Sequence, residues 1–125
     1  MNVSDSGTEK CCGKIVVYYE NINEAYTMYY QLYGTYTKIP ERVNNQSFYQ
    51  SDFFDGIYGI WLSDCNSWFI GDITLRGQCR GYSYAKPNSS EECIEKIGWN
   101  WVYTSDYSEN WAEAKEGLGV KCKEN

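Results

Sequence analysis

Six cysteines and the absence of histidine limit what this chain can form more than any other feature of its sequence. Structural zinc sites use closely spaced cysteine pairs, commonly together with histidine. An even number of cysteines in a small chain, mostly far apart, is instead typical of a disulfide framework. Disulfide bonds persist in oxidising compartments, so the pattern predicts a secreted, disulfide-bonded domain. The cysteines are Cys11, Cys12, Cys65, Cys79, Cys93 and Cys122.

The pairing of these cysteines can be narrowed only in part. Cys11 and Cys12 are adjacent, so we expect them to bond to different partners. If the first and last strands are neighbours, one of the two should pair with Cys122 near the end of the chain. The pairing that we predict is Cys12–Cys122, Cys79–Cys93 and Cys11–Cys65, with other combinations left open.

The apolar residues are mainly aromatic: the chain has 13 Tyr, 5 Trp and 4 Phe among 125 residues. Aromatic residues favour strands and place a large ring beside a polar atom. Strand-like segments recur roughly every ten residues, separated by polar turns. The sequence therefore predicts a mainly β fold, a small disulfide-stabilised antiparallel sandwich or open barrel with one or two short helices. We expect residues 1–10 to be a disordered lead-in and residues 11–125 to form a single β-rich extracellular domain.

Individual elements can be placed on this outline. Residues 14–19 are predicted to form the first strand, and Pro40 is predicted to end a later strand. Residues 44–46 are expected at a hairpin tip, and residues 57–62 and 68–72 as the strands of a second hairpin. Single helical turns or short helices are predicted at 93–96 and 111–116, the latter ended by Gly117 before a last strand at 118–122.

Charge and hydropathy exclude several classes of partner. With 11 basic and 17 acidic side chains the net charge is −6, which disfavours nucleic acid and anionic membrane surfaces. No apolar run approaches the roughly 20 residues that span a bilayer. The polar N-terminus is not a signal peptide, and we expect Met1 to stand where a removed signal ended. Three Asn-x-Ser sequons, at Asn2, Asn45 and Asn88, are candidate glycosylation sites that favour a secretory history.

The order of landmarks from Cys12 to Cys122 resembles an extracellular module of marine and other invertebrates. The matching motifs are Gly34-Thr35-Tyr36, Val43-Asn44 to Tyr49, Tyr58-Gly59-Ile60-Trp61, Trp68-Phe69-Ile70-Gly71, the tryptophans at 99 or 101 and at 111, and Val120-Lys121-Cys122. The resemblance implies a secreted or adhesive role without catalysis, and it transfers no binding residues. The chain departs from the pattern by its additional Cys11 and Cys65 and by lacking Gly-Arg-Pro after the Asn of the hairpin.

Catalytic chemistry has little support in the sequence. Without histidine the commonest general base is missing, and the cysteines are expected in disulfides. A pair of carboxylates could still serve a small hydrolase. The candidates Glu20, Asp52, Asp55, Asp64 and Asp72 are interpreted as turn and surface acids. No cofactor is expected, with calcium as the alternative. The stretches 52–56 and 64–66 supply oxygen ligands in loops, but neither has the spacing of an EF-hand calcium loop.

The aromatic residues carry the strongest prediction about function. Trp and Tyr on a sheet face can anchor a protein partner or stack on a sugar ring. Trp68, Trp99 and Trp111 are assigned to the core. The candidate binding residues are Tyr29, Tyr30, Tyr33, Trp61, Trp101 and Tyr107. The leading hypothesis is a non-catalytic recognition or adhesion module for an extracellular protein or matrix component; the alternatives are a lectin-like carbohydrate-binding domain and a hydrolase with paired carboxylates.

Overall fold

The computed structural model describes residues 11–19, 32–85, 93–97, 101–103 and 115–123. The expected lead-in at residues 1–10 lies outside these ranges. The described residues form eight strands: β1 (Lys14–Tyr19), β2 (Gly34–Val43), β3 (Gln46–Ser51), β4 (Tyr58–Leu62), β5 (Trp68–Asp72), β6 (Ser83–Ala85), β7 (Trp101–Tyr103) and β8 (Lys115–Cys122). Each strand pairs antiparallel with the next, and β8 pairs with β1. The mainly β fold is therefore confirmed. Of the two predicted architectures, the sandwich is wrong, and the open barrel is matched only loosely, because the eight described strands form a closed up-and-down barrel.

The two predicted hairpins are present, whereas the predicted strand end and the predicted helix are not. β2 continues through Pro40, where a register shift between Ile39 and Arg42 marks an irregularity that tolerates proline. In the last segment, Lys115 pairs with Tyr103 and Glu116 with Val102, so β8 begins inside the expected helix 111–116. Pairing with β7 has overridden a modest helix propensity. The turn expected at 93–96 is a 3₁₀ turn, Ile94–Lys96.

Large side chains fill the interior of the barrel. Alternate residues along each strand face inward, and the inward set forms one continuous buried cluster. An eight-stranded barrel is just wide enough to be filled by such side chains. The largest of them are Trp68, Trp101, Tyr36 and Tyr49. The interior that the structure describes is thus a packed core.

The meander places the connections at two ends of the barrel, which we call the upper and lower ends. At the upper end β1, β3, β5 and β7 finish; at the lower end β2, β4 and β6 finish, and β1 begins beside the end of β8. The 3₁₀ turn at Ile94–Lys96 follows β6 at the lower end, and Ile94 and Ile97 pack into the core there.

All three disulfide bonds lie at the lower end. The predicted Cys12–Cys122 bond is present and links residues 110 positions apart. The other two predicted pairings are wrong, because Cys11 bonds to Cys93 and Cys65 bonds to Cys79. Cys93 lies immediately before the 3₁₀ turn at the lower end, close to the start of β1. The connection between β5 and β6 runs along the outside of the barrel toward the lower end, where its Cys79 lies next to Cys65.

Polar groups tie the N-terminal cysteines to the inside of the barrel. The Tyr49 hydroxyl donates to the Cys12 carbonyl oxygen at 2.6 Å, and Lys38 Nζ donates to the Cys11 carbonyl oxygen at 3.2 Å. Burial, and then the negative charge of Glu95, raise the pKa of Tyr49 above its ordinary value. The phenol therefore stays protonated and keeps its donor role.

A second apolar cluster lies on the outer face of the barrel. Neighbouring strands contribute Phe48, Trp61 and Phe69, and the β5–β6 connection covers them with Ile73 and Leu75. We call this connection, residues 73–82, the strap. Several contacts hold the strap against the barrel. Among them, Trp61 Nε1 donates to the Gln78 carbonyl oxygen at 2.9 Å, the Asn44 side chain donates to the Gly77 carbonyl oxygen at 3.3 Å, and Cys79 is bonded to Cys65.

Two glycines allow the strap to approach the sheet. A Cβ atom on Gly71 would lie 2.9 Å from the Gly81 Cα and 3.2 Å from the Trp61 ring. We expect Gly71→Ala to lower the free energy of unfolding by about 1–3 kcal/mol through overpacking. In contrast, Gly13 has open space around its missing Cβ, so Gly13→Ala should change stability by less than about 1 kcal/mol. Urea denaturation of both variants checks this; equal losses would contradict the close approach.

Candidate functional site

Exposed apolar side chains concentrate at the upper end of the barrel. Among the described residues, the large hydrophobic side chains that remain exposed are Tyr33 (47%), Phe54 (51%) and Ile57 (45%). Tyr33 directly precedes β2, and the other two lie in the loop that joins β3 to β4. We call residues 52–57 the β3–β4 loop. Single exposed hydrophobic residues are ordinary, but three at one end of a small domain make that end the candidate contact surface.

The backbone of this loop is unusual. Phe54, Asp55 and Gly56 are consecutive residues with positive φ, at 51°, 54° and 70°. They form one tight left-handed turn, in which Gly56 N–H donates to the Phe53 carbonyl oxygen at 3.0 Å and Ile57 N–H to the Phe54 carbonyl oxygen at 3.2 Å. The left-handed conformation costs an L-residue about 1–2 kcal/mol, and it is rare for a bulky side chain. Strained backbone of this kind clusters at functional sites.

Side chains of β3 hold the loop in this conformation. Gln50 Nε2 donates to the Gly56 carbonyl oxygen at 3.1 Å. The Ser51 hydroxyl donates to the Phe53 carbonyl oxygen at 3.0 Å and accepts from Tyr58 N–H at 3.3 Å. These contacts satisfy backbone groups that the tight turn would otherwise leave without partners. The loop is therefore supported from both of its ends.

The adjacent residues Phe53 and Phe54 have opposite roles. Phe53 packs over Gly34, where a Cβ atom would lie 2.6 Å from its ring, and it contacts Tyr36 edge to face at 5.4 Å between centroids. Phe54 is exposed, and its ring forms T-shaped pairs with Phe53 at 5.5 Å and with Tyr58 at 6.3 Å between centroids. One ring anchors the loop, and the other is displayed.

Asp52 fixes the loop to the outer surface of β1 and β2. Its carboxylate accepts from Thr37 Oγ1 at 2.6 Å and from Lys14 Nζ at 3.0 Å. Partial burial alone would raise the pKa of Asp52, but the hydrogen bonds from Thr37 and Lys14 and the nearby positive charges outweigh it and lower that pKa. Asp55, at the tip of the loop, is exposed.

The structure separates the predicted binding residues into three groups. Tyr33 is exposed beside the loop. Trp61 and Trp101 are not surface residues, and their prediction is wrong: Trp61 is covered by the strap, and Trp101 faces the barrel interior, each with 0% exposure. Trp68 is in the core, as predicted. Tyr29, Tyr30, Tyr107, Trp99 and Trp111 lie outside the described residues.

The described candidate carboxylates lie at both ends of the barrel. Asp52, Asp55 and Asp72 are at the upper end, where Asp72 ends β5 and pairs with Tyr58. Asp64 lies in the β4–β5 turn at the lower end. Asp72 caps a 3₁₀ turn by accepting from Thr74 N–H at 2.9 Å and from its hydroxyl at 2.7 Å. Glu20 is outside the described residues. Among the described residues, the side chains close enough to share a metal ion are Glu95 with either Cys11 and Cys93 or Cys12 and Cys122, and these sulfurs are in disulfide bonds.

Sequence reasoning missed Phe54 and Ile57, which the structure places at the centre of the exposed surface. The signal was the run Phe53-Phe54-Asp55-Gly56, because Asp-Gly marks a turn and two phenylalanines before it cannot both be buried by a short loop. By itself the run predicts only a turn that carries carboxylates.

Comparison of the chain with protein-family models, with curated proteins and with solved structures found no match.

The strain in the loop predicts an unusual mutational effect. Asp55→Gly should raise the free energy of unfolding by about 0.5–1 kcal/mol, because glycine adopts the left-handed conformation without penalty. The matched control is Asp64→Gly: Asp64 is also an exposed loop aspartate, but its φ is not positive. That variant should lose about 0.5–1 kcal/mol through backbone entropy. Thermal denaturation distinguishes the two, and a loss in both variants would argue against the strain.

The environment of Asp52 predicts a second effect. Thr37→Val removes a hydrogen bond to the carboxylate, so the pKa of Asp52 should rise toward its ordinary value. Because the folded-state pKa is depressed, the stabilising contribution is present above about pH 4 and is lost as the pH falls through the folded-state value. Carboxyl-detected NMR titration measures the shift. Thr35→Val, which leaves the Asp52 carboxylate contacts intact, is the control, and an unchanged Asp52 pKa in Thr37→Val would contradict the assignment.

Proposed function

We propose that this protein is a non-catalytic, secreted recognition or adhesion module that binds an extracellular protein through the β3–β4 loop and Tyr33. The observation that carries the proposal is the left-handed turn that displays Phe54 and Ile57. Phe54 has the costly left-handed backbone and also exposes its apolar ring to water, and Ile57, which follows the turn, is exposed beside it. Neither feature contributes to the packed core, so binding is the simplest explanation for both.

The chemistry of the loop favours a protein partner. Phe54 and Ile57 offer apolar surface without hydrogen-bonding groups, which suits insertion into an apolar pocket. Aromatic anchors at the centre of an interface commonly supply most of its binding energy. Since the loop is already held by Gln50 and Ser51, little further conformational entropy is lost on binding. The exposed carboxylate of Asp55 beside the anchor suits a pocket bordered by Lys or Arg.

The covalent structure supports an extracellular setting. All six cysteines are in disulfide bonds, which form and persist in oxidising compartments. Within the ranges that the structure describes, no helix has the length and apolar character needed to cross a membrane.

The lectin-like alternative is weakened by the burial of the tryptophans on which it partly depended. Trp61 and Trp101 are buried and cannot stack on a sugar. Among the predicted binding residues that the structure describes, Tyr33 is the one whose ring is exposed, and it also carries a polar hydroxyl. The hydrolase alternative needs two carboxylates facing one groove. Asp52 is occupied by Thr37 and Lys14, and Asp72 by Thr74. A protein partner therefore remains the best-supported class.

The oxidised domain should be screened in parallel against an array of extracellular proteins and against a glycan array. We expect selective binding to a protein, and Phe54→Ala should weaken it about 30-fold or more, the effect of losing an anchor worth about 2 kcal/mol. Ile57→Ala and Asp55→Ala should each weaken it less. The control Asp64→Ala, at the opposite end, should bind as the parent does.

Three results would count against the proposal: no selective protein ligand, selective binding to glycans alone, or protein binding that Phe54→Ala leaves unchanged. Circular dichroism and thermal denaturation of each variant show whether the barrel is intact, so that a loss of binding can be assigned to the contact surface.

A further inference from the structure

The tip of the β2–β3 hairpin consists of two asparagines. Asn44 and Asn45 both have positive φ, at 51° and 67°, and Val43 pairs with Gln46 across them. Two residues of this kind form a tight hairpin turn of the type that matches the twist of the strands. The turn lies at the lower end of the barrel, opposite the β3–β4 loop.

The two asparagine side chains have different surroundings. Asn44 Nδ2 donates to the carbonyl oxygens of Leu62 at 2.7 Å and Gly77 at 3.3 Å, so this side chain is part of the structure that holds the strap. Asn45 is exposed, and the contact it makes within the described residues is through its backbone carbonyl, which accepts from Arg42 Nη2 at 2.6 Å. The side-chain amide of Asn45 is therefore available for modification.

Asn45 begins the sequon Asn45-Gln46-Ser47, whereas Asn44 is not in a sequon. The hydroxyl residue is part of the motif that the glycosylating enzyme reads. In the folded barrel Ser47 is only 4% exposed and sits in β3 between strands β2 and β4. The acceptor amide is thus accessible after folding, but the hydroxyl that identifies it is not.

We propose that Asn45 is an N-glycosylation site, and that the glycan is added to the unfolded chain before β3 joins the barrel. Once the barrel has closed, Ser47 is withdrawn from the surface while the glycan remains in solvent at the hairpin tip. A bulky, solubilising glycan is compatible with this exposed turn. It would stand at the end of the barrel opposite Phe54, so it would leave the β3–β4 loop uncovered. The inference does not depend on the recognition role of that loop.

To test the site, the double variant Asn2→Gln/Asn88→Gln is secreted from eukaryotic cells. This variant keeps Asn45-Gln46-Ser47 as its one sequon. Intact mass, before and after an amidase that releases N-glycans and converts the acceptor Asn to Asp, should show one glycan at Asn45. Adding Asn45→Gln or Ser47→Ala should remove it. Adding Asn44→Gln should retain the glycan while lowering thermal stability. If the double variant Asn2→Gln/Asn88→Gln carries no glycan, both in the secreted protein and in the protein retained in the cells, the assignment is overturned.

The order of events is tested with unglycosylated protein made in bacteria. The oxidised, folded protein and a reduced, denatured sample are each incubated with purified oligosaccharyltransferase and a lipid-linked oligosaccharide. We expect transfer to Asn45 in the denatured sample and at least tenfold less in the folded one. Equal modification of both samples would show that the barrel does not hide Ser47, and would overturn the proposed order.

Discussion

The pairing of β8 with β1 is the contact on which the rest of the structure depends. It joins the two ends of the chain through five residue pairs from Ile15–Cys122 to Tyr19–Leu118, and it leaves none of the eight described strands as a sheet edge. Contacts between residues so distant in sequence carry a large entropic cost of loop closure. The Cys12–Cys122 bond offsets part of this cost by restricting the unfolded chain. This closure sets where the other parts of the molecule lie: the packed core inside the barrel, the disulfide bonds at the lower end and the β3–β4 loop at the upper end.

A barrel of this size is filled by large aromatic rings. Trp68, Trp101, Tyr36 and Tyr49 occupy the described interior, so the part of the barrel seen here is a core and not a ligand cup. The outer face of β3 to β5 is buried as well, because the strap covers Phe48, Trp61 and Phe69. Among the described residues, exposed apolar surface is left where the upper-end loops meet solvent.

The β3–β4 loop combines local strain with firm support. Two non-glycine residues in left-handed conformation cost about 1–2 kcal/mol each, a noticeable part of the stability of a small domain. Gln50, Ser51 and the Phe53–Gly34 contact hold this conformation in the absence of any partner. A surface arranged in advance loses less entropy on binding, which is the benefit that would justify such strain. The disulfide bonds at the lower end stabilise the barrel that carries this loop without touching the loop itself.

The sequence by itself determined what depends on neighbours along the chain. The two hairpins, the first strand and the disulfide-bonded β character follow from local alternation, turn residues and cysteine spacing.

Only the tertiary structure decided the rest. Trp61 and Trp68 flank the same turn, yet one packs under the strap and the other in the barrel, because alternate residues face opposite sides and both sides are covered. Cys79 meets Cys65 only once the strap has folded back over the sheet. The different roles of Phe53 and Phe54 depend on Gly34, about 20 residues earlier in the chain, because the space beside a distant glycine cannot be read from local sequence.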